Sequence, residues 1–299
     1  MNVGLNEAEL YNAIWDRCKL ILSDKDRAKL KAATVSINGL GGIGGIIVEE
    51  LVRSGIGHLK LSDPDVFEPT NLGRQLYATT RTLGKNKAEV ARKRVLEINP
   101  YCKVEVYKQG LQKKNVFKIL SGVDVVVDEM DIWSRGLILH RAAKKLGIPL
   151  VHGARAGFPG NRWTIQAGIW NYRDYPETRT REETNKLWTC NLTWDELTDE
   201  VLDKVDREIS HSMKHKIRDE IIKGNSSVFG NVTREYLLSQ LNGDLEEPFR
   251  DNLFHKRAIF VQIPNIVGIL TSLEAIKLIL GWETTSYKLD LLHGRIDPS

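Results

Sequence analysis

The chain has 299 residues, of which 41% are hydrophobic and 27% are charged, a composition typical of a soluble globular protein with one or two domains. A formal net charge of +4 fits an anionic ligand but is too small to indicate a nucleic-acid partner. The three cysteines, Cys18, Cys102 and Cys190, form no CxxC pair, which excludes a four-thiolate zinc site. No secretory signal and no membrane-spanning run is visible, so we expect a cytoplasmic protein without a membrane partner.

The first part of the chain, residues 1–31, is predicted to form an N-terminal helical arm. Asn6 followed by acidic residues indicates a helix start, and Leu10 and Ile14 continue an apolar stripe at helical spacing. A leading arm of this kind, which here includes Arg17, is expected to pack on a neighbour or on a second subunit.

A glycine-rich turn follows, between two runs that resemble strands. The order is a strand at Thr34–Asn38, the turn Gly39–Gly44, an amphipathic helix and a second strand at His58–Ser62. Asp63 closes the unit about 20 residues after the last glycine, as in a dinucleotide-binding fingerprint. This placement predicts a nucleotide site, and the alternative is a purely structural glycine turn.

Each position of this turn has an expected task. Gly39 permits a tight turn, and Gly44 lets the helix pack on the strand. Gly41 and Gly42 let the backbone approach a phosphate, which the free N–H groups of the helix N-terminus then face. Asp63 lies where a carboxylate can accept hydrogen bonds from ribose hydroxyls.

The loop after the second strand carries further polar candidates. Its prolines favour a loop over a helix, and it leaves the carboxyl end of a strand, where ligands bind in open parallel sheets. A helix then spans Lys85 to Asn99, and the lysine near its start is expected outside the core, available to phosphates. The candidate residues of this region are Asp65, Asn71, Arg74, Gln75 and Lys87.

An apolar run at Val123–Asp128 predicts a buried parallel strand. It ends in carboxylates, including Asp131, which can hold Mg²⁺ through oxygen at the ligand crevice. His152 and Arg155 follow the end of another strand, where they either face a substrate carboxylate or serve as structural groups.

The sequence as a whole predicts an α/β fold: a Rossmann-like, doubly wound, mostly parallel sheet. Residues 32–170 and 258–299 are expected to form the nucleotide-binding domain, and residues 171–257 a helical crossover insertion that covers the site. Cys190 lies in the insertion, either as a nucleophile at a helix N-terminus or as a packed, inert thiol. His211 and His215 are spaced like metal ligands on a helix, but neighbouring lysines favour a solvated basic face.

Several short motifs occur in one order along the chain. They are Gly39–Gly44, Asp63-x-Asp65, Asn71-Leu72-Gly73-Arg74-Gln75, Leu83–Ala88, Ile98–Pro100, Asp128-x-x-Asp131, Pro264–Gly268 and Leu273–Lys277. With these motifs the chain resembles the ThiF/MoeB/HesA-type activating enzymes, the bacterial and archaeal relatives of ubiquitin-activating enzymes. The resemblance covers about residues 15–170 and 258–299.

The resemblance implies a reaction and its residues. In that family a substrate carboxylate attacks the α-phosphate of ATP, bound with Mg²⁺, to give an acyl-adenylate and pyrophosphate. Asp63 would then hold the ribose, Asp131 would bind Mg²⁺ or order the phosphates, and Arg17 would reach the phosphates of a partner subunit in a homodimer. The expected contacts with the triphosphate are Asn71, Arg74, Gln75 and Lys87.

The chain also departs from the family pattern. It lacks the CxxC pairs of many members, which predicts a zinc-free variant. Ile132 stands where an asparagine is usual, and Arg135 sits one residue early, which puts local nucleotide contacts there in question. The expected substrate is a small biosynthetic cofactor precursor or a ribosomal peptide. The alternatives are a ubiquitin-like sulfur carrier, a NAD-dependent oxidoreductase and a non-catalytic nucleotide-binding scaffold.

Overall fold

The helices and strands alternate along most of the chain in this computed structural model, which describes residues 4–156, 166–171, 194–204, 206–207, 262–285, 287–290 and 295–298. The helices are α1 Glu7–Trp15, α2 Asp24–Ala32, α3 Gly42–Arg53, α4 Lys87–Ile98, α5 Val116–Leu120, α6 Trp133–Leu146 and α7 Gln262–Leu280. The strands are β1 Thr34–Asn38, β2 His58–Ser62, β3 Lys103–Tyr107, β4 Val125–Asp128, β5 Leu150–Ala156, β6 Gln166–Asn171, β7 Tyr287–Asp290 and β8 Arg295–Pro298.

One sheet joins all of these strands, in the order β3-β2-β1-β4-β5-β6-β7-β8. The pairs from β3 to β5 are parallel, whereas the pairs from β5 to β8 are antiparallel. The predicted Rossmann-like, mostly parallel sheet is therefore confirmed, with β8 as an additional edge strand. The strand order reverses direction between β1 and β4, which is where open α/β sheets bind their ligands.

Helices cover both faces of the sheet. Successive side chains of a strand point to opposite faces, and apolar side chains on each face pack against helices. Val35 and Ile37 of β1 pack with α3, α4 and α7 in one core, and Val126 of β4 packs with α5 and α6 in another. On the first face α7 lies close to α3, since a methyl group on Gly268 would meet the Ile46 Cβ at 2.7 Å. This packing fixes the N-terminus of α3 relative to the rest of the sheet.

The second face of the sheet ends in a polar row. Asn38 of β1 stands in register with Ser62 of β2 and with Asp128 of β4, and all three are at most 3% exposed. The Asn38 Oδ1 and Ser62 Oγ atoms have no hydrogen-bond partner within the part of the chain that is described. This row lies directly beneath the turn that follows β1.

The N-terminal arm packs on its own α/β domain. The Trp15 indole Nε1 donates a hydrogen bond to the Ser54 carbonyl at 2.9 Å, beside Gly55, where a side chain would overlap the indole ring. Asn6 and Ser23 cap α1 and α2, as the sequence predicts for α1. Any contact of the arm's outer face with a second subunit stays a prediction.

The predicted insertion falls largely outside the described residues, as do Cys190, His211 and His215. In the part that is described, residues 199–204 are helical, and they fall within a stretch, Asp195–Val205, whose sequence predicts a helix. None of the described helices has the length and apolar character needed to cross a bilayer.

Candidate nucleotide-binding site

The turn after β1 is closed by direct backbone contacts. Gly39 has a φ of +93°, and a Cβ there would lie 2.3 Å from the Glu129 carbonyl oxygen. A Cβ on Gly44 would lie 1.9 Å from the Gly39 carbonyl oxygen, so the first turn of α3 rests on the turn itself. For a Cβ on Gly41, the nearest atom of the described residues is 3.8 Å away. The two outer glycines therefore shape the turn, and Gly41 leaves an open surface.

The N-terminus of α3 opens onto this surface. Its N-cap residue is Gly41, which provides no side-chain hydrogen bond, and the first turn contains no acidic residue. The N–H groups at the start of a helix lack intrahelical partners and carry the positive end of the helix dipole. This end of α3 can therefore bind an anion such as a phosphate.

Asp63, at the end of β2, ties the turn to the following loop. Its side chain accepts hydrogen bonds from the Leu40 N–H at 2.6 Å and from the Asp65 N–H at 2.8 Å, and it is 4% exposed. Burial raises the pKa of Asp63, and the charge of Lys87 and the two N–H groups oppose that rise. Each carboxylate oxygen can accept a second hydrogen bond, so this geometry is compatible with the predicted ribose contact.

Lys87 is the first residue of α4, and its environment differs from the one expected. The sequence predicts a lysine outside the core, but the side chain is 7% exposed and its Nζ donates to Asp65 Oδ2 at 2.9 Å. A nearly buried ammonium group needs such a partner, because burial of an unpaired charge is costly. The Asp65 side chain is 64% exposed, so the pair faces solvent on its carboxylate side, where a phosphate can take the place of Asp65.

The loop that carries Asn71 and Arg74 folds back on itself. Asn71 ends a short 3-10 turn and is 5% exposed, and its Oδ1 accepts from the Glu68 N–H at 3.1 Å. The Arg74 Nη1 donates to the Thr70 carbonyl at 2.6 Å. These contacts fix the loop in front of the glycine turn.

Gln75 lies against that turn. Its Nε2 is 3.8 Å from the position of a Cβ on Gly41, and the Arg74 carbonyl oxygen is 3.2 Å from the corresponding position on Gly42. Gln75 is 8% exposed, and its Oε1 has no hydrogen-bond partner among the described residues. A buried amide oxygen without a partner is costly in free energy, which indicates a place for a polar ligand group or a water molecule.

Asp128 sits at the carboxyl end of β4 between two histidines. Its Oδ2 lies 2.9 Å from His140 Nε2, its Oδ1 accepts from the Met130 N–H at 3.1 Å, and its carbonyl oxygen lies 2.6 Å from His152 Nδ1. Burial acts to raise the pKa of Asp128, but the hydrogen bond and charge of His140 outweigh it and hold the pKa below its ordinary value. His140 belongs to none of the sites predicted from the sequence, because it lies twelve residues from Asp128 and no local pattern links the two.

Asp131 follows in the loop of residues 129–132, which we call the Asp131 loop. The side chain is exposed, and no group of three or more His, Cys, Asp or Glu side chains in the described ranges could hold a metal ion. Mg²⁺ usually binds one or two carboxylates and takes its other ligands from water and substrate phosphates. An exposed carboxylate at the strand end fits that mode of binding. Arg135 is turned elsewhere, since its Nη1 donates to the Leu111 carbonyl at 2.9 Å.

Arg17 is not near these residues within its own chain. It is exposed in a 3-10 turn next to Trp15, which packs at the C-terminal end of α3. The twelve residues of α3 separate that end from the glycine turn by about 18 Å, at 1.5 Å per residue. The backbone of Arg155 lies in β5, and its side chain is not among the parts that the structure describes.

Comparison with known proteins gives a consistent picture. A family model described as the ThiF family matches residues 16–296. A sulfur carrier protein adenylyltransferase of Thermus thermophilus is 39% identical over 132 residues, which are 44% of this chain and 49% of that protein. A SAMP-activating enzyme E1 of Haloferax volcanii is 36% identical over 139 residues, which are 46% of this chain and 52% of that protein.

Among solved structures, that of PaaA covers 100% of this chain and 85% of its own, with a TM-score of 0.61 and 20% identity. At that identity the match concerns the fold. This chain spans about half the length of the curated relatives named above.

Proposed function

This chain belongs to the ThiF family, and from that membership we propose that it is an adenylyltransferase that uses ATP and Mg²⁺ to activate a substrate carboxylate. The observation that carries the proposal is the cluster around the glycine turn. It combines an open helix N-terminus, the nearly buried Lys87 and the Gln75 Oε1 atom, which has no hydrogen-bond partner in the described part of the chain. The two relatives named above are called an adenylyltransferase and an activating enzyme, which supports the same reaction.

In the proposed reaction an oxygen of the substrate carboxylate attacks the α-phosphorus of ATP. The bond from that phosphorus to the bridging oxygen breaks, and pyrophosphate leaves. Lys87, Arg74 and the N–H groups of α3 offset the negative charge that develops on the phosphates. No side-chain base is needed, since a carboxylate is already ionised at pH 7. Mg²⁺, held by Asp131 and the phosphates, would supply further charge neutralisation.

For the substrate we propose a small carboxylate or a peptide. The absence of a CxxC pair from the sequence supports this choice over a sulfur carrier. The second candidate is a ubiquitin-like sulfur carrier, favoured by the name of the Thermus relative, a sulfur carrier protein adenylyltransferase. In either case we propose a homodimer that acts in the cytoplasm.

A calorimetric titration with ATP and Mg²⁺, run beside NAD, tests the nucleotide. We expect binding of ATP and not of NAD, because ATP carries a triphosphate, with which Lys87 and Arg74 are proposed to interact, and NAD does not. Binding of NAD alone would restore the oxidoreductase. Binding of ATP without pyrophosphate release for any carboxylate tested would favour the non-catalytic scaffold.

Paired variants then test the two cations. Lys87→Ala and Arg74→Ala should each weaken ATP binding about tenfold or more, the effect of losing a charge-assisted hydrogen bond. Lys85→Ala and Arg81→Ala are matched controls, since both side chains are exposed in the same region. If all four variants bind ATP like the parent protein, the assignment of Lys87 and Arg74 to the phosphates is wrong.

A further inference from the structure

Helix α6, which follows the Asp131 loop, has no capping side chain of its own. Its N-cap residue Ile132 makes no side-chain hydrogen bond, and its first turn contains no acid. Asp206 takes that role from 72 residues further along the chain. Its Oδ1 accepts from the Ser134 N–H at 2.8 Å and its Oδ2 from the Ser134 hydroxyl at 2.6 Å. A carboxylate in this position satisfies a free N–H group and interacts favourably with the helix dipole.

The segment that carries Asp206 is anchored to the same body as α6. Leu197 and Leu202 are 1% and 6% exposed and belong to the core that α5 and α6 form. The Trp194 ring lies 4.8 Å from the Phe117 ring of α5. The packing of residues 194–202 on α5 and α6 therefore holds Asp206 close to the start of α6.

The other end of the Asp131 loop is tied to the same helix. Asp128, just before the loop, is paired with His140 of α6 and accepts from the Met130 N–H. The Glu129 N–H donates to the Asn38 carbonyl at 2.7 Å. The four residues 129–132 thus run between two fixed points, and the direction in which Asp131 projects depends on both.

We propose that Asp206 is a positioning residue: it holds the start of α6 so that Asp131 faces the metal-bound phosphates, and it links the nucleotide site to segment 194–207. The inference rests on the proposed function, since it assigns Asp131 to the metal. It gives part of the predicted insertion a defined task in nucleotide binding: Asp206 aligns Asp131, the proposed Mg²⁺ ligand, without contacting the nucleotide.

The test compares Asp206→Ala with Asp203→Ala, a control three residues earlier whose side chain is exposed. Calorimetry measures the affinity of each variant for a non-hydrolysable ATP analogue, once in the presence of Mg²⁺ and once in the presence of EDTA. For Asp206→Ala we expect affinity to fall about five- to tenfold with Mg²⁺, a loss of the size expected for one N-cap, and to stay unchanged with EDTA. Amide hydrogen exchange should rise at residues 129–136 in this variant and not in the control.

Further variants separate this role from a general loss of structure. Ser134→Ala should weaken binding with Mg²⁺ less than Asp206→Ala does and should add little in the Asp206→Ala background, because the two residues share one interaction. If Asp206→Ala does not fold, Asp206→Asn retains an oxygen acceptor for the Ser134 N–H, and we expect it to show a smaller loss confined to Mg²⁺.

The outcomes distinguish the two proposals. Failure of the parent protein to bind the analogue overturns the proposed function. Binding by the parent with equal affinity in the Asp206 variant overturns the present inference alone. An equal loss with Mg²⁺ and with EDTA also overturns it, because a general structural role would not depend on the metal.

Discussion

Asp128 carries a charge in a buried place because His140 stands beside it. Its pKa is lowered in the folded protein, so the ionised form stabilises the fold above the ordinary carboxyl value of about 3.9. That stabilisation is lost as the pH falls through the lowered pKa. We therefore expect Asp128→Asn to be less stable than the parent by about 1–3 kcal/mol at pH 5, as for a hydrogen bond to a charged group, with a smaller difference at pH 3.

Urea unfolding of both proteins from pH 5 to pH 3 measures this difference in the free energy of unfolding. Asp131→Asn is the matched control, since this side chain lies in the neighbouring loop but is exposed. It should change stability by no more than about 0.5 kcal/mol at either pH. A gap between parent and Asp128→Asn that widens towards pH 3 would contradict the assignment of the buried charge.

Single residues also show where sequence reasoning stops. The sequence predicts a lysine available to phosphates at the start of α4, but it does not reveal that Asp65 pairs with the ammonium group. His140 belongs to no predicted site, because contact with Asp128 depends on how α6 crosses the sheet. Residue type and spacing thus predict which groups gather at the site, whereas their pairing depends on tertiary packing.

The turn between β1 and α3 is the element in which two similar glycines have different tasks. Among the described residues, a methyl group on Gly41 would have only Gln75 Nε2 within 4 Å, at 3.8 Å. On Gly44 it would lie 1.9 Å from the Gly39 carbonyl oxygen. We expect Gly44→Ala to destabilise the fold by at least about 1–3 kcal/mol through overpacking.

Gly41→Ala, in contrast, should destabilise the fold less than Gly44→Ala does, because its methyl group meets no close atom among the described residues. It should still weaken ATP binding, since the methyl group occupies the surface where a phosphate approaches α3. Urea unfolding and calorimetry on both variants give the comparison. If Gly41→Ala binds ATP normally, the phosphates do not approach this turn.

Elements differ in how far their own sequence specifies them. Asn6 caps α1 from within a local pattern, and α1 is accordingly predicted from the sequence. The start of α6 depends on Asp206, 72 residues away, so no window of the sequence contains its cap. The polar row at Asn38 and Ser62 cannot be predicted from a local pattern either, because it forms only when neighbouring strands pair in register.

At the scale of the whole molecule, the alternation of strands and helices is enough to predict the parallel part of the sheet. Each glycine turn or carboxylate that follows a predicted strand reaches the same edge, so the location of the site is predicted as well. For the C-terminal end the sequence indicates one edge strand at residues 285–292, whereas the structure has two short antiparallel strands, β7 and β8. A local pattern cannot predict a contact between subunits, and the role expected for Arg17 depends on such a contact.

Arg17 is exposed at the end of α3 that lies away from the glycine turn, so a role at the phosphates requires the site of a second subunit. We therefore expect Arg17→Ala and Lys87→Ala to complement each other. In a mixed dimer the subunit with intact Lys87 receives Arg17 from its partner and regains a complete site, while the other site stays defective. Random pairing in a symmetric dimer then restores about one quarter of the sites.

Calorimetry with ATP and Mg²⁺ on the mixture, after unfolding and refolding the two variants together, counts those sites. The same variants mixed without refolding are the control and should regain none if exchange is slow. A double variant with both substitutions, refolded with the parent, should keep no complete site in the mixed dimer, because each site then lacks one of the two residues. If the refolded mixture binds ATP no better than its components do, Arg17 does not act across subunits and is not part of the nucleotide site.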